Sequence, residues 1–263
     1  MNFSFFNNFN KLKKSFILKI VLSVLIILLI INFLMKGNLK NIEGFEDNKK
    51  KSFITKVNDN IYDFFYSNIY DKLVLDEEKN LFEVASLIEK TNLDENNKIL
   101  DLGSGTGHHV NLFNEIGFNC IGVDKSKSMI DVSKKKYPKY HYIQKDINNP
   151  SSFNENSFSH ITCFYFTIYY FKDKDKFFEN CYKWLKPNGY LVIHLVNKDK
   201  FDPLLPVANP FYLVSPQKYA YQRLTSSKAL FDDFEYFSNF NVETDNDIAI
   251  FKETFKFRNK DTR

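Results

Sequence analysis

The chain has 263 residues and a formal net charge of +4, and its 44% hydrophobic and 26% charged content excludes wholesale disorder and predicts one large or two small folded domains. Its only arginines are Arg223, Arg258 and Arg263, so the charge excess is lysine without the forked contacts that grip phosphate backbones, and no nucleic-acid partner is expected. Cys120, Cys163 and Cys181 form no CxxC pair, which excludes a disulfide scaffold and a cysteine zinc site and fits a reducing compartment.

Residues 1–15 read as an N-terminal tail. Phe16 to Met35 then runs FILKIVLSVLIILLIINFLM, with Lys19, Ser23 and Asn32 as its polar positions. About 20 residues rising ~1.5 Å each match a hydrocarbon core of ~30 Å, so an uncleaved transmembrane helix is expected, with Lys19 reaching the interface. A signal peptide has a shorter apolar stretch and a small-residue cleavage site; Met35-Lys36-Gly37-Asn38 supplies none. A buried core helix is the other alternative. Lysines flank both ends, at 11, 13 and 14 and at 36, 40 and 49–51, which gives the C-terminal side a slight edge as the cytosolic one. Residues 36–57 read as a polar tether.

Residues 58–198 alternate helical and strand patterns. Ile61, Tyr62, Phe65, Tyr66, Ile69 and Tyr70 recur on one helix face, and Leu81 to Lys90 is a second amphipathic stretch. Ile99 to Leu102 reads as a strand. Val110, Phe113 and Ile116 mark a helix closed by Gly117. Cys120 to Val123 is a second strand, and Ser126 caps a helix that carries Met129, Ile130 and Val132 and ends before Pro138. His141 to Gln144 and Phe158 to Phe164 are further strands. Phe177, Phe178, Cys181 and Leu185 form a helix face, Pro187-Asn188-Gly189 a turn, and Tyr190 to Val196 a fifth strand. This alternation predicts an α/β fold with a doubly wound, mostly parallel sheet, whose ligands bind beyond the carboxyl ends of the strands.

Residues 199–263 begin irregularly, with Pro203, Pro206, Pro210 and Pro216, a segment placed to cover a ligand. Phe234, Tyr236 and Phe240 precede Asp245-Asn246-Asp247, and Ala249, Phe251, Phe255 and Phe257 alternate with Lys252, Thr254 and Lys256. An antiparallel hairpin with one apolar face is expected, with Glu253 as the single charge on that face.

The run after the first strand is Asp101-Leu-Gly103-Ser-Gly105-Thr-Gly107-His108-His109. Glycines there let backbone approach a ligand that a Cβ would exclude. The dinucleotide fingerprint needs Gly at 108, and the P-loop needs Gly-Lys-Ser/Thr; neither is present. The loop therefore suits a nucleoside without a pyrophosphate, and Asp124, ending the second strand, can accept both ribose hydroxyl protons. A joint metal site at His108 and His109 is disfavoured, because neighbours in a helix point to different faces, and no metal is expected.

Asp101-Leu-Gly103-Ser-Gly105-Thr-Gly107, Gly122-Val-Asp124 and Ser126-Lys-Ser-Met129 together resemble the class I S-adenosylmethionine-dependent methyltransferases, over about residues 61–196. The resemblance implies S-adenosylmethionine as cofactor, with Asp101 orienting its amino group. It places Gly103, Gly105 and Gly107 under the ribose and methionine and Asp124 at the ribose, with Ser104, Lys125 and Ile147 as further cofactor-binding residues. Met129 would lie against adenine, or is a plain core residue, and Asp146 would accept from the exocyclic amine, or is an exposed loop carboxylate. One of the two histidines would flank the methionine carboxylate. Tyr62, Tyr66 and Tyr70 read either as a lid over the cofactor or as a plain packing face.

Tyr165, Thr167, Tyr169 and Tyr170 follow the fourth strand, where relatives acting on nucleic-acid bases carry an Asn/Asp-Pro-Pro-Tyr motif. Cys163 to Phe171 has no proline, which argues against base methylation. Many small-molecule relatives have a His near the position of Tyr169. Its absence leaves the base unassigned, with Tyr165, Thr167, Tyr169 and His194 as candidates, although His194 reads as readily as a core histidine. The family core continues with a helix and two closing strands after the fifth. Either the C-terminal hairpin is that closing pair or those elements are missing; the expectation leans to the second, with an edge exposed near Phe257. The resulting expectation is a membrane-anchored methyltransferase with a cytosolic domain and a small or lipophilic acceptor. The alternative is a non-catalytic, membrane-tethered scaffold that binds the cofactor or a partner.

Overall fold

A computed structural model describes Ile26 and residues 54–197, 201–204, 216–243 and 248–258. The chain divides into two units, residues 1–54 and 55–263. In the first, Ile26 is helical and exposed and Ile54 is exposed; the rest of the apolar run 16–35, and nearly all of the tether, lie outside the described residues. Among the described residues no helix is long and apolar enough to cross a membrane.

The second unit opens with a 3-10 turn at Asn58–Ile61, then α1 (Phe64–Val74) and α2 (Glu77–Thr91). Asp63 and Asp76 cap these helices, accepting from Tyr66 N and Lys79 N. Strand and helix then alternate: β1 (Lys98–Leu102), α3 (His108–Ile116), β2 (Asn119–Asp124), α4 (Lys127–Lys136), β3 (His141–Gln144), β4 (Phe158–Cys163), α5 (Lys174–Trp184) and β5 (Leu185–Ile193). The five strands are parallel in the order β3-β2-β1-β4-β5. The winding reverses between β1 and β4, and that switch point opens a crevice at the carboxyl edge of the sheet.

Both faces of the sheet are covered, as a parallel sheet requires. Leu100, Leu102, Val123 and Ile161 pack with Phe177, Cys181 and Trp184 of α5. Ile99 and Cys120 pack with Val84 and Leu87 of α2, Val110 and Phe113 of α3, and Ile130 of α4. The period of two along β1 sends Ile99 to one layer and Leu100 to the other. All three cysteines are buried and unpaired, at 2% exposure or less.

Three expected elements differ. Ile116 and Phe178, placed on buried helix faces by their spacing, are exposed. Leu185 belongs to β5, and Trp184 takes the buried place at the end of α5, its indole donating to Pro150 O at 3.0 Å. The Pro187-Asn188-Gly189 turn lies inside β5, and the strand stops at Ile193 instead of Val196. Pairing jumps from Phe158↔Leu185 to His160↔Tyr190, so the turn is a bulge. Pro187 has no N–H for the ladder, and Asn188 has φ 62°.

The C-terminal strands do not extend the parallel sheet. β6 (Ser226–Leu230), β7 (Phe234–Glu243) and β8 (Ile248–Phe257) form an antiparallel sheet of their own. The expected hairpin is β7–β8, with Asp245-Asn246-Asp247 outside the described residues. The short β6 carries no alternating signature in Ser-Ser-Lys-Ala-Leu. Phe234, Tyr236 and Phe255 pack against Tyr66, Ile69 and Leu73 of α1, and Phe257 is exposed. The proline-rich segment is described only at 201–204 and from Pro216.

Candidate functional site

A cavity of about 460 Å³ lies over the carboxyl edge of the parallel sheet, within the range of about 300–1,000 Å³ typical of small-molecule sites. Its floor is the loop after β1. Gly103 has φ 66°, and a Cβ there would come within 2.4 Å of the Thr167 side chain. Gly105 has φ 52°, yet a Cβ there would meet no protein atom within 4 Å, so this glycine leaves room where the cavity opens. Ser104 lines the cavity, but its Oγ is buried without a partner and turned against Gly122 of β2.

Two acids stand at the strand ends. Asp101 is 3% exposed and accepts from Thr162 Oγ1 at 2.7 Å. Burial, opposed by the nearby His109 and the Thr162 hydroxyl, pushes its carboxyl up to about 6. Asp124 accepts from Gly105 N at 3.0 Å and Ser126 N at 2.8 Å. Two backbone donors thus orient this carboxylate at the cavity wall and tie the glycine loop to β2.

The roof comes from α1 and the turn after β4. Tyr62 donates to Tyr170 Oη at 2.8 Å, and both line the cavity with Tyr70 and Asp71. Ser126 Oγ donates to Tyr62 O at 2.6 Å, and Thr106 Oγ1 donates to Asp71 Oδ1 at 2.6 Å. Tyr165 has φ 52°, a strained value for a non-glycine residue. It is held by its hydroxyl donating to Asn80 Oδ1 at 2.9 Å and by the Lys79 ammonium 3.2 Å from its ring centroid.

Residues 100–193 match the family model described as "Methyltransferase domain". That stretch is a methyltransferase domain. Among curated proteins, the chain is 28% identical over 137 residues to the phosphoethanolamine N-methyltransferase of Plasmodium falciparum, covering 51% of this chain and 50% of that protein. It is 27% identical over 133 residues to the uncharacterized methyltransferase YcgJ of Bacillus subtilis, covering 49% and 51%. The chain thus spans about half the length of the curated relatives it matches. A crystal structure of an S-adenosylmethionine-dependent methyltransferase from Clostridium acetobutylicum superposes with TM-score 0.45 at 24% identity, over 75% of this chain and 82% of that one.

S-adenosylmethionine is the cofactor of the class. The lining fits it: an open glycine and two carboxylates at strand ends, for a ligand that carries an ammonium and ribose hydroxyls. Of the residues the resemblance implies, the domain brings Asp101, Gly103, Ser104, Gly105, Asp124, Lys125, Met129, Asp146 and Ile147 to the cavity. Asp146 Oδ1 accepts from Asn148 N and Nδ2, both at 2.9 Å. Burial acts to raise its pKa but is outweighed by these bonds and by Lys125, so the carboxyl sits below its ordinary value. Met129 and Ile147 are also core residues.

Gly107 does not line the cavity. It starts α3 at φ 88°, where a Cβ would meet the Tyr142 ring at 2.8 Å; its role is packing and helix entry. Among the catalytic candidates, Tyr165 and Thr167 reach the cavity. Tyr169 does not: its hydroxyl accepts from Val196 N at 2.9 Å. His194 lies just beyond β5 and outside the lining, with Nδ1 3.0 Å from Glu83 Oε1 but misaligned for a hydrogen bond. His109 Nε2 lies 2.8 Å from Glu83 Oε2, and His108 Nε2 lies 3.1 Å from Asp71 Oδ2. Both histidines therefore line the cavity while engaged by carboxylates. Of the lid tyrosines, Tyr66 turns away to Glu253.

Asp71, Thr106, Asn80 and Glu83 were not singled out from the sequence. Asp71 carries a faint signal, an acid beside a tyrosine-rich helix face. Glu83 carries only its i,i+4 spacing from Lys79, because its histidine neighbours come from α3 and from beyond β5.

Proposed function

We propose that the chain is a membrane-tethered S-adenosylmethionine-dependent methyltransferase acting on a small or lipophilic acceptor, with its folded domain in the cytosol. The observation that carries the enzymatic reading is the open bend at Gly105 joined by a backbone hydrogen bond to the Asp124 carboxylate at a 460 Å³ cavity. The tether is inferred from the apolar run 16–35.

When bound, S-adenosylmethionine supplies a methyl group activated on a sulfonium. The chain's own work is positioning. Asp101 would hold the ammonium and Asp124 the ribose hydroxyls, each as a charge-assisted acceptor. Tyr165 and Thr167, after β4, would form the wall next to the acceptor. Tyr62, Tyr70 and Tyr170 would exclude water. Methyl transfer is an in-line displacement whose rate gains most from proximity and orientation, and no side chain is assigned as base. The name of the Plasmodium relative makes phosphoethanolamine the first acceptor to test.

The test is calorimetric titration with S-adenosylmethionine, followed by transfer of labelled methyl to phosphoethanolamine and to membrane extracts. Micromolar binding with labelled product is expected. Absence of binding overturns the reading, and binding without transfer to either acceptor favours the scaffold.

A further inference from the structure

At the seam between α1 and the antiparallel sheet lies a carboxylate, Glu253, at the centre of β8. Along the helix-facing side of this strand its neighbours are Phe251, Phe255 and Phe257. Phe255 meets the rings of Phe65 and Tyr66, at centroid distances of 5.2 and 6.0 Å, and Phe257 meets Phe65 at 5.0 Å. In this apolar setting Glu253 is gripped from both sides: Tyr66 of α1 donates to Oε2 at 2.7 Å and Tyr236 of β7 donates to Oε1 at 2.8 Å.

Desolvation raises the Glu253 pKa, and the two tyrosine hydroxyls oppose it. Burying an acid here is costly, but a hydrocarbon in its place would leave the Tyr66 and Tyr236 hydroxyls unpaired. What the acid adds is direction: two hydroxyls, one on the helix and one on the sheet, must meet it together. In register with Glu253, Ser238 and then Ser227 complete a polar row across the sheet, and the Ser227 and Ser238 hydroxyls are buried without a hydrogen-bond partner. An interface with orphaned hydroxyls is weaker than a dry one, so its closure rests more heavily on the bond that crosses it.

The helix so held is the one that roofs the cavity. Tyr70, Asp71 and Val74 of α1 line it, as does Tyr62 just before the helix, and Tyr66 sits within the same tyrosine group, 5.7 Å from Tyr62 and 5.9 Å from Tyr70 between ring centroids. We propose that Glu253 is a positioning residue that latches α1 through Tyr66, so that the antiparallel sheet sets how much of the time the cavity is roofed. This inference rests on the methyltransferase reading for its effect on the cofactor, but not for the latch itself. With the latch broken, the competent state is less populated and apparent cofactor affinity falls by that fraction, while the closed complex is unchanged.

The experiment uses the full chain, with amide hydrogen exchange and steady-state kinetics on Tyr66→Phe, Glu253→Leu and Glu253→Gln. A buried hydrogen bond to a charged group is worth about a tenfold change or more in opening. In Tyr66→Phe and Glu253→Leu, exchange across residues 64–74 should quicken roughly tenfold, with residues 98–102 and 158–163 unchanged. The KM for S-adenosylmethionine should rise by a similar factor while kcat stays within about twofold. Glu253→Gln, which keeps an acceptor oxygen for Tyr66, should restore most of the protection. Equal quickening in every segment would make Glu253 merely structural, and unchanged exchange in residues 64–74 would remove the latch. A wild-type chain that binds no S-adenosylmethionine would end the methyltransferase reading, and the exchange pattern would still decide the latch.

Discussion

Replacing Gly105 by Ala separates a ligand-excluding glycine from a structural one. A side chain at φ 52° is strained by about 1–2 kcal/mol, and nothing in the protein clashes with the new methyl, since no atom lies within 4 Å of it. For a domain of this size each kcal/mol lowers Tm by about 2–4 °C, so the variant should stay folded and melt a few degrees lower. Its methyl, however, takes up open space at the cavity lining, and S-adenosylmethionine affinity should fall at least tenfold, about 1.4 kcal/mol. Gly107→Ala should do the reverse. Its Cβ would approach the Tyr142 ring to 2.8 Å at φ 88°, adding about 1–3 kcal/mol of overpacking to the strain. It does not line the cavity, so the folded fraction should bind normally. Calorimetry with differential scanning on both variants decides. Gly105→Ala binding within twofold of wild type, in a folded protein, would refute the assignment of that bend to the cofactor.

The Asp101 carboxyl titrates near 6; cofactor affinity should therefore drop as pH falls through that value, and Asp101→Asn should give weaker, pH-independent binding. For stability the sign is opposite. A buried acid with raised pKa binds protons in the folded state that the unfolded chain has released, so its contribution declines as pH rises from about 4 to about 6, and urea melts of wild type against Asp101→Asn should show that slope. Glu83 behaves the other way. Burial would raise its pKa, but the His109 hydrogen bond, the close approach of His194 and the Lys79 charge outweigh this and hold it well below the ordinary range. Its stabilisation is complete above about pH 4.3 and is lost only as pH falls further. Glu83→Leu leaves Lys79 without its counter-charge and His109 without its hydrogen-bond partner and should cost about 1–3 kcal/mol at pH 7, read by the same melts. The tether predicts that the full chain stays in the membrane pellet after alkaline carbonate; release into the supernatant would remove it.

The parallel core was legible because each of its local signals agrees with the others. Ser126 caps α4, Gly117 ends α3, and strand and helix periods alternate as a doubly wound sheet demands. The glycine loop and Asp124 were legible because strand order carries them to one edge of the sheet. What was not legible is pairwise. Three glycines in one motif have separate reasons, and only coordinates distinguish Thr167 pressing on Gly103 from open space at Gly105 and Tyr142 over Gly107. The bulge in β5 looked like a turn because its three residues are turn residues; only pairing with β4 shows that the strand continues through them. Tyr66 shared one helix face with Tyr62 and Tyr70, but that face is wide enough to serve two neighbours, and Glu253 draws Tyr66 to the other.

The interior placement of Cys120, Cys163 and Cys181 gives the domain a built-in reporter. Each thiol sits in the packed layers around the parallel sheet, and desolvation pushes all three above their ordinary range, Cys181 to about 12. Reagents that attack the thiolate meet neither access nor reactive sulfur until the layers part. Alkylation counted by intact mass would then time the breathing of the native protein, with α5 followed at Cys181 and the central strands at Cys120 and Cys163, without any introduced label.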